Sequence, residues 1–167
     1  MPLIRNGRIV EDTWETVTTA IPEGRRVIAT LEQWRDHKDD FRGRDKIPGI
    51  RLKSDESPDL IADDLDRFGL VALEFPAFID GRSFSHARLL RERHGFKGEI
   101  RAVGSVIPDQ YQFLDRCGFD TVEIPEDADI AVWERCLNNI RHWYQPTADG
   151  RRTIVRRRGD ALGRDMD

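Results

Sequence analysis

Residues 70–75 read Leu-Val-Ala-Leu-Glu-Phe, a short apolar run that carries one charge between apolar neighbours. Similar runs recur along the chain at Val27–Thr30, Gly49–Leu52, Glu99–Val103 and Thr121–Ile124. Short β-branched runs that alternate with longer amphipathic segments are typical of strands in a parallel sheet with right-handed crossovers. The sequence therefore predicts an α/β fold, with repeated βα units forming a parallel sheet or a partial TIM-like barrel.

Each apolar run is followed by the start signal of a helix. Thr30 and Gln33 match a capping box, and Ser57 precedes a proline at the first helical position. Two more helices are predicted where glycine follows an amphipathic segment, at Ser83–His94 and Pro108–Cys117. The last predicted helix has one apolar face, which consists of Trp133, Cys136, Leu137, Ile140 and Tyr144.

The two ends of the chain depart from this pattern. Asn6-Gly7 lies between two short apolar runs, which predicts a β-hairpin with a type I′ turn in an N-terminal region, residues 1–20. From Thr147 the sequence is polar and rich in arginine, which predicts a disordered tail over residues 147–167. An RNA-binding arm is the alternative for this tail, but its aspartates dilute the positive charge. Residues 1–146 are expected to form a single domain.

Composition bounds the class of protein. The 167 residues carry a net charge of −4, which gives no reason to expect nucleic acid or an anionic membrane as a partner. Residues 1–10 lack the apolar core of a signal peptide, and no run reaches the roughly 18 apolar residues of a membrane helix. Cys117 and Cys136 form no C-x-x-C motif and are expected to be free and at least partly buried. We therefore expect a cytoplasmic protein.

Four of the predicted strands carry a single charge between apolar neighbours: Arg51, Glu74, Arg101 and Glu123. The signs alternate along the chain, so consecutive neighbouring strands would bring opposite charges together on one face. Two interpretations remain open. The charges form a structural ladder of ion pairs, or they line a pocket inside a partial barrel near the carboxyl ends of the strands.

The loop after residue 75 supplies the candidate site, because ligands of parallel α/β proteins bind at the carboxyl ends of the strands. Asp80 or Ser83 is suited to cap the next helix, whose first turn would attract an anion. Arg101 is expected to reach the same pocket from the neighbouring strand, with Glu74 orienting it. The anion-binding candidates are Arg82, Ser83, Ser85, Arg101 and Ser105, and the supporting residues are Glu74, Asp80 and Gly81. The alternative is a capped turn with a solvated Arg82.

Signals for a metal or a cofactor are weak. His86 and His94 are eight residues apart and have no acidic or thiol partner at ligand spacing, so no metal site is predicted. Nucleotide-binding glycine motifs and a Ser-His-Asp pattern are missing, so the sequence assigns no cofactor and no catalytic residue.

A set of segments resembles a known family. They are Leu73–Pro76, Phe78–Arg82, Ser85–Arg91, Arg101–Gly104 and Arg116–Asp120, together with the opening Gly7–Val10. They are similar to the bacterial domain-of-unknown-function family 934, over most of the chain up to Ile124. Members are labelled as oxidoreductases of sulfite reduction, because their genes lie beside those for sulfite reductase and phosphoadenylylsulfate reductase.

Three functions remain open on this basis. The resemblance implies an oxidoreductase or accessory component of assimilatory sulfite or sulfate reduction, with a pocket for a small oxyanion. The second function is a non-catalytic partner that docks on sulfite reductase or phosphoadenylylsulfate reductase through exposed aromatic and arginine residues. The third is a binder of small anions or phosphorylated metabolites. The sequence leaves open whether the chain catalyses a reaction.

Overall fold

The computed structural model describes residues 1–17, 25–42 and 48–157, and within them the main feature is one eight-stranded sheet. The strands are β1 (Leu3–Arg5), β2 (Arg8–Val10), β3 (Trp14–Thr16), β4 (Arg26–Thr30), β5 (Gly49–Leu52), β6 (Leu70–Phe75), β7 (Glu99–Gly104) and β8 (Thr121–Glu123). They lie in the order β2-β1-β8-β7-β6-β5-β4-β3, with β3 to β8 parallel. The sheet curls into a half-barrel, which confirms the predicted α/β architecture.

Helices connect the parallel strands. The α-helices are α1 (Leu31–Asp36), α2 (Lys38–Arg42), α3 (Arg82–Arg88), α4 (Tyr111–Cys117) and α5 (Ile130–Leu137). A 3₁₀-helix covers Pro58–Arg67, a second one precedes α4 at Pro108–Gln110, and a π-helical segment extends α3 over Leu89–Arg93. The capping box at the start of α1 is confirmed, because Thr30 accepts from the backbone N–H of Gln33 and the Gln33 side chain accepts from that of Thr30.

The predicted hairpin is also confirmed. β1 and β2 pair antiparallel around Asn6 and Gly7, whose φ angles are 52° and 75°. Both angles belong to a type I′ turn, which suits the twist of a two-residue hairpin. β1 then pairs antiparallel with β8, which joins the hairpin to the parallel sheet.

The last helix is shorter than predicted. α5 ends at Leu137, and Ile140 and Tyr144 are exposed outside it, so the prediction that they share its apolar face is wrong. The side chain of Gln112 explains the end of the helix. Its amide donates to the carbonyls of Leu137 and Ile140 and accepts from the N–H of Ile140, so it replaces the hydrogen bonds of a further turn.

Within the described residues, the helices that contribute to the main core pack on one face of the sheet. Alternate strand residues on this face pack against apolar side chains of the helices to form the main core, which includes Ile50, Leu52, Val71, Leu73, Ile100 and Ala102 from the strands and Trp34, Ala87, Leu114 and Trp133 from the helices. This arrangement follows from the period of two in the strands, since every second residue faces the same side.

The opposite face, called the inner face below, carries the charges. Arg51, Ala72, Arg101 and Thr121 are successive partners across β5 to β8 and therefore share a face. Glu74 and Glu123 lie two residues beyond Ala72 and Thr121, so they point the same way. The prediction that the four strand charges lie on one face is confirmed.

Curvature of the sheet is imposed by a short link. β2 and β3 are the two edge strands, yet only residues 11–13 separate them in the chain. Such a link reaches about 14 Å, whereas the edges of a flat eight-stranded sheet would lie about 34 Å apart. The sheet must therefore curl so that its edges approach each other.

Asp12 of this link contacts the centre of the sheet. The Asp12 oxygens accept from Arg101 Nη1 at 2.7 Å and from Nη2 at 2.9 Å. Arg101 is 1% exposed and also donates to Glu99 Oε1, from Nε at 3.2 Å and from Nη2 at 3.1 Å. The buried guanidinium is thus saturated by carboxylates, as a buried charge requires.

The Asp12 carboxyl is held ionised. Burial raises the pKa of Asp12, but hydrogen bonds from Arg101 and from the Trp14 backbone N–H outweigh burial, so its pKa lies below the ordinary value. A carboxyl with a lowered folded pKa stabilises the fold above its unfolded pKa of about 3.9, and this stabilisation is lost as the pH falls through the folded pKa. The ion pair therefore contributes in full at neutral pH.

The region predicted as a tail is described as far as residue 157. Arg116 lies 4.1 Å over the ring of Trp143, and its guanidinium donates to the carbonyl of Gln145 at 2.6 Å and to Asp149 at 3.3 Å. Arg151 pairs with Asp115 at 2.7 Å. These contacts join residues 147–157 to α4, while residues 158–167 lie outside the described part of the chain. The division into one domain over residues 1–146 and a tail stays a prediction.

We predict that Arg101→Met destabilises the protein by about 3–5 kcal/mol, because it leaves the Asp12 carboxylate without a cationic partner and removes two hydrogen bonds from Glu99. The measurement is the free energy of unfolding from urea denaturation. Arg88→Met is the matched control. Arg88 pairs with Glu92 across an exposed helical turn, and such a pair contributes less than about 1 kcal/mol. Equal losses in the two variants would contradict the assigned role of Arg101.

Candidate functional site

The loop from residue 76 to residue 81 joins β6 to α3 and is organised around Asp80. The Asp80 carboxylate accepts from Arg82 Nε at 3.0 Å and from Arg82 Nη2 at 2.6 Å. It also accepts from the hydroxyl of Ser54 at 2.7 Å and from the backbone N–H of Arg82 at 3.2 Å. Ser54 follows β5, so these bonds tie the loop to the end of the neighbouring strand.

Electrostatics reinforce this cluster. Hydrogen bonds from Arg82 and then from Ser54 hold the pKa of the Asp80 carboxyl far below its usual range. The reciprocal bond to Asp80 raises the pKa of Arg82. The loop therefore has an ionised, hydrogen-bonded anchor at neutral pH.

The three serines of the predicted site, Ser83, Ser85 and Ser105, differ in burial and in their contacts. Ser83 is fully buried, and its hydroxyl donates to the backbone carbonyl of Glu74 at 2.6 Å. Ser85 is exposed on α3. Ser105 is exposed at the end of β7, with its hydroxyl 3.5 Å from the carbonyl of Pro76. Arg82 thus begins α3 and Ser105 contacts the loop before it, whereas the Ser83 hydroxyl is bound to β6.

The remaining two predicted residues lie on the inner face. Arg101 is held by Asp12 and Glu99, as described above, so its donors are used on the inner face and not in the loop that precedes Arg82. The prediction that Glu74 orients Arg101 is wrong, because the Glu74 carboxylate pairs with Arg51. Register explains the difference: Glu74 lies opposite Val103, two residues beyond Arg101.

An exposed apolar surface beside the anchor was missed by sequence reasoning. Phe78 is 55% exposed, Ile79 is 90% exposed and Phe113 of α4 is 49% exposed. We call these three residues the apolar tip. The available signal was the stretch Pro76-Ala77-Phe78-Ile79, because apolar residues in a loop that follows a buried strand have no core position to fill.

The apolar tip is held by specific contacts. The Gln110 side chain donates to the Phe78 carbonyl at 3.4 Å, and the Asp80 N–H donates to the Ala77 carbonyl at 3.0 Å. The ring of Phe113 packs on Phe84 at 4.8 Å between centroids, and Phe84 in turn packs on the buried Phe75 at 5.0 Å. A chain of aromatic contacts therefore connects the tip to the core.

A second concave feature lies at the same edge of the sheet. A groove of about 290 Å³ opens between the loops that follow β7 and β8 and is lined largely by apolar residues, including Val106, Ile107, Pro125, Val132 and Trp133. Grooves of this kind accept apolar side chains more readily than charged groups.

The two thiols show no sign of activation. Both are free, with Cys117 buried and Cys136 half-buried, as predicted. Burial raises the pKa of Cys117 to about 11, and burial together with the nearby carboxylate of Asp109 raises the pKa of Cys136. Nucleophilic cysteines have lowered pKa values, so the surroundings of these two favour the thiol.

Among the described residues, no cluster of three or more His, Cys, Asp or Glu side chains is placed to hold a metal ion. In the same part of the chain, no helix is long and apolar enough to cross a membrane.

Comparison with known families gives one match. A model of the family described as "Bacterial protein of unknown function (DUF934)" matches residues 49–155, a span that runs from β5 through the site loop to α5 and beyond. The chain belongs to this family. No curated protein and no solved structure matches it. The apolar tip and the Asp80 anchor of this DUF934 protein both lie inside the matched region.

We predict that Asp80→Ala raises the hydrogen-exchange rates of the backbone amides of residues 78–82 severalfold, because it removes the bonds from Ser54 and Arg82. The β6 amides should keep their protection. Asp59→Ala is the control, because Asp59 is an exposed carboxylate in the first turn of the 3₁₀-helix whose bonds go to Ser57 and His94. Unchanged exchange in the Asp80 variant would show that the loop is held by other contacts.

Proposed function

We propose that this DUF934 protein is an accessory component of assimilatory sulfite reduction that docks on a partner enzyme through the apolar tip. The proposed partner is sulfite reductase or phosphoadenylylsulfate reductase, and the proposed location is the cytoplasm. The observation that carries the docking role is the 90% exposure of Ile79 between Phe78 and the Asp80 anchor.

Exposed apolar side chains on a loop that hydrogen bonds hold in place favour binding of a partner protein. A large aliphatic side chain in water forgoes about 1.5–3 kcal/mol of burial free energy, which contact with a partner would recover. Hot spots of interfaces are enriched in aromatic and arginine residues, and here the apolar tip holds two exposed phenylalanines, while Arg82 follows Ile79 by three residues in the chain. Since Asp80 already orders the loop, less conformational entropy is lost on binding.

The proposed link to sulfite reduction is supported by membership of the DUF934 family. Its members are labelled as oxidoreductases of sulfite reduction through the position of their genes. A docking role agrees with that gene neighbourhood and requires no reaction by the chain itself. An oxidoreductase activity of the complex would then belong to the partner.

We predict that Ile79→Asp weakens binding to the partner reductase tenfold or more, since it places a charge at the centre of the apolar contact. Binding is measured by calorimetry with purified sulfite reductase and with phosphoadenylylsulfate reductase from the same organism. Ile140→Asp is the matched control, because Ile140 is 56% exposed and lies outside the tip. If the wild type binds neither reductase, the docking proposal fails, and equal binding by wild type and Ile79→Asp would exclude this surface.

Binding of a small anion at Arg82 is the second candidate function, and it covers sulfur oxyanions and phosphorylated metabolites. It is favoured by the 57% exposure of the Arg82 side chain, whose hydrogen bonds within the described chain go to Asp80 and Ser54, and by the exposure of Ser85 on the same helix. Arg82 Nη1 has no hydrogen-bond partner in the described chain and could donate to an anion, while Ser105 would approach from the adjoining loop.

For this candidate we predict that Arg82→Ala weakens anion binding by about tenfold, because a charged hydrogen bond is lost. The measurement is calorimetry with sulfite, sulfate and a sulfonucleotide, and Arg88→Ala is the control for removal of an exposed arginine. Unchanged affinity in Arg82→Ala would contradict an anion site at this loop.

A further inference from the structure

Two arginines on the inner face differ in how completely they are paired. Every nitrogen of the Arg101 guanidinium donates to a carboxylate of Asp12 or Glu99, and its side chain is 1% exposed. Arg51 lies on β5, on the other side of β6 from Arg101. Its side chain is 36% exposed and has a single partner in the described chain. That partner is Glu74. Arg101 is therefore structural, while Arg51 retains unused donors.

Because Arg51 makes only one hydrogen bond within the described chain, the two terminal nitrogens of its guanidinium remain available to a ligand. Nε donates to Glu74 Oε2 at 3.2 Å, whereas Nη1 and Nη2 have no partner among the described residues. These two terminal groups form a planar fork that matches the two oxygens of a carboxylate. The bond to Glu74 limits rotation of the guanidinium and so presents the fork in one orientation.

The position of this fork suits a ligand. Arg51 is the penultimate residue of β5, and Glu74 is the penultimate residue of β6, so both lie at the carboxyl ends of neighbouring parallel strands. Ligands of half-barrel and barrel sheets bind at this end. Strands lie about 4.8 Å apart, so one small molecule can touch both side chains at once.

Charges around the fork restrict the kind of ligand. Glu74 Oε1 has no partner in the described chain, so an unused carboxylate oxygen lies beside the open fork of Arg51. Because Glu74 already balances the charge of Arg51, its carboxylate would repel a dianion at the fork more strongly than it would repel a monoanion. A donor group on that monoanion would in addition satisfy Glu74 Oε1.

From this geometry we infer that Arg51 and Glu74 form a binding site for a small monocarboxylate that also carries a hydrogen-bond donor, an amino acid or a hydroxy acid. The carboxylate binds the terminal nitrogens of Arg51, and the ammonium or hydroxyl group donates to Glu74. The site lies on the inner face of the sheet and involves neither the apolar tip nor Arg82, so it stands independently of the proposed docking function.

The test is a titration followed by NMR, with the Nε–H resonance of Arg51 as the reporter. The probes are glycine and glycolate, and the comparison anions are acetate, which lacks the donor, and sulfate, which is a dianion. Glycine and glycolate should shift the reporter saturably, with acetate and sulfate each binding at least tenfold more weakly. No saturable shift with any probe, or sulfate binding as tightly as glycine, would overturn the inference.

Variants locate the site. With backbone amides as the readout, Arg51→Met should abolish saturable binding of glycine, and Arg51→Lys, which keeps the charge but loses the fork, should weaken it at least tenfold. Glu74→Gln should weaken glycine more than acetate, since it alters the acceptor for the donor group. Arg88→Met is the neutral control. Unchanged binding in both Arg51 variants, or loss of binding only in Arg82→Ala, would place the ligand elsewhere and overturn the inference.

Discussion

Asp12 and Arg101 form the contact on which the shape of this protein depends. The two residues are 89 positions apart, one in a three-residue link and the other in the middle of the sheet. Without the carboxylate, the guanidinium would be a buried charge with too few partners. Without the guanidinium, the link would lose the two hydrogen bonds that join Asp12 to β7. The same pair therefore contributes to the curl of the sheet and explains how an arginine is buried on a face that also carries the apolar side chains of Ile28, Leu70 and Val103.

The fold could be predicted from the sequence wherever its cause is local. Alternation within five runs gives the strands β4 to β8, and the cap formed by Thr30 and Gln33 marks the start of α1. Errors arise where a distant residue decides. α5 stops early because Gln112, more than twenty residues upstream, binds its final carbonyls. β3 was missed because Trp14–Thr16 is only three residues long and is extended by its pairing with β4.

The candidate site was predictable in place but not in detail. The loop after β6 does hold a polar cluster, as expected for the carboxyl end of a parallel strand, and Asp80 and Arg82 belong to it. Which arginine keeps free donors depends on strand register and curvature, neither of which can be read from spacing. Hence Arg101, chosen from its place in a strand, is saturated, while Arg51 in an equivalent place is not.

The hairpin at the amino terminus has a consequence for synthesis of the chain. β1 pairs with β2 and with β8, so Leu3 meets its partner Glu123 only after about 120 further residues have been added. At ribosomal rates this interval lasts roughly 6–24 s, during which the hairpin has no sheet to join. The hairpin is therefore made well before β8, the strand that it joins in the sheet. Pairing of β1 with β8 joins residues that are distant in the sequence. Contacts of this kind form slowly, so this part of the half-barrel is completed at a late stage of folding.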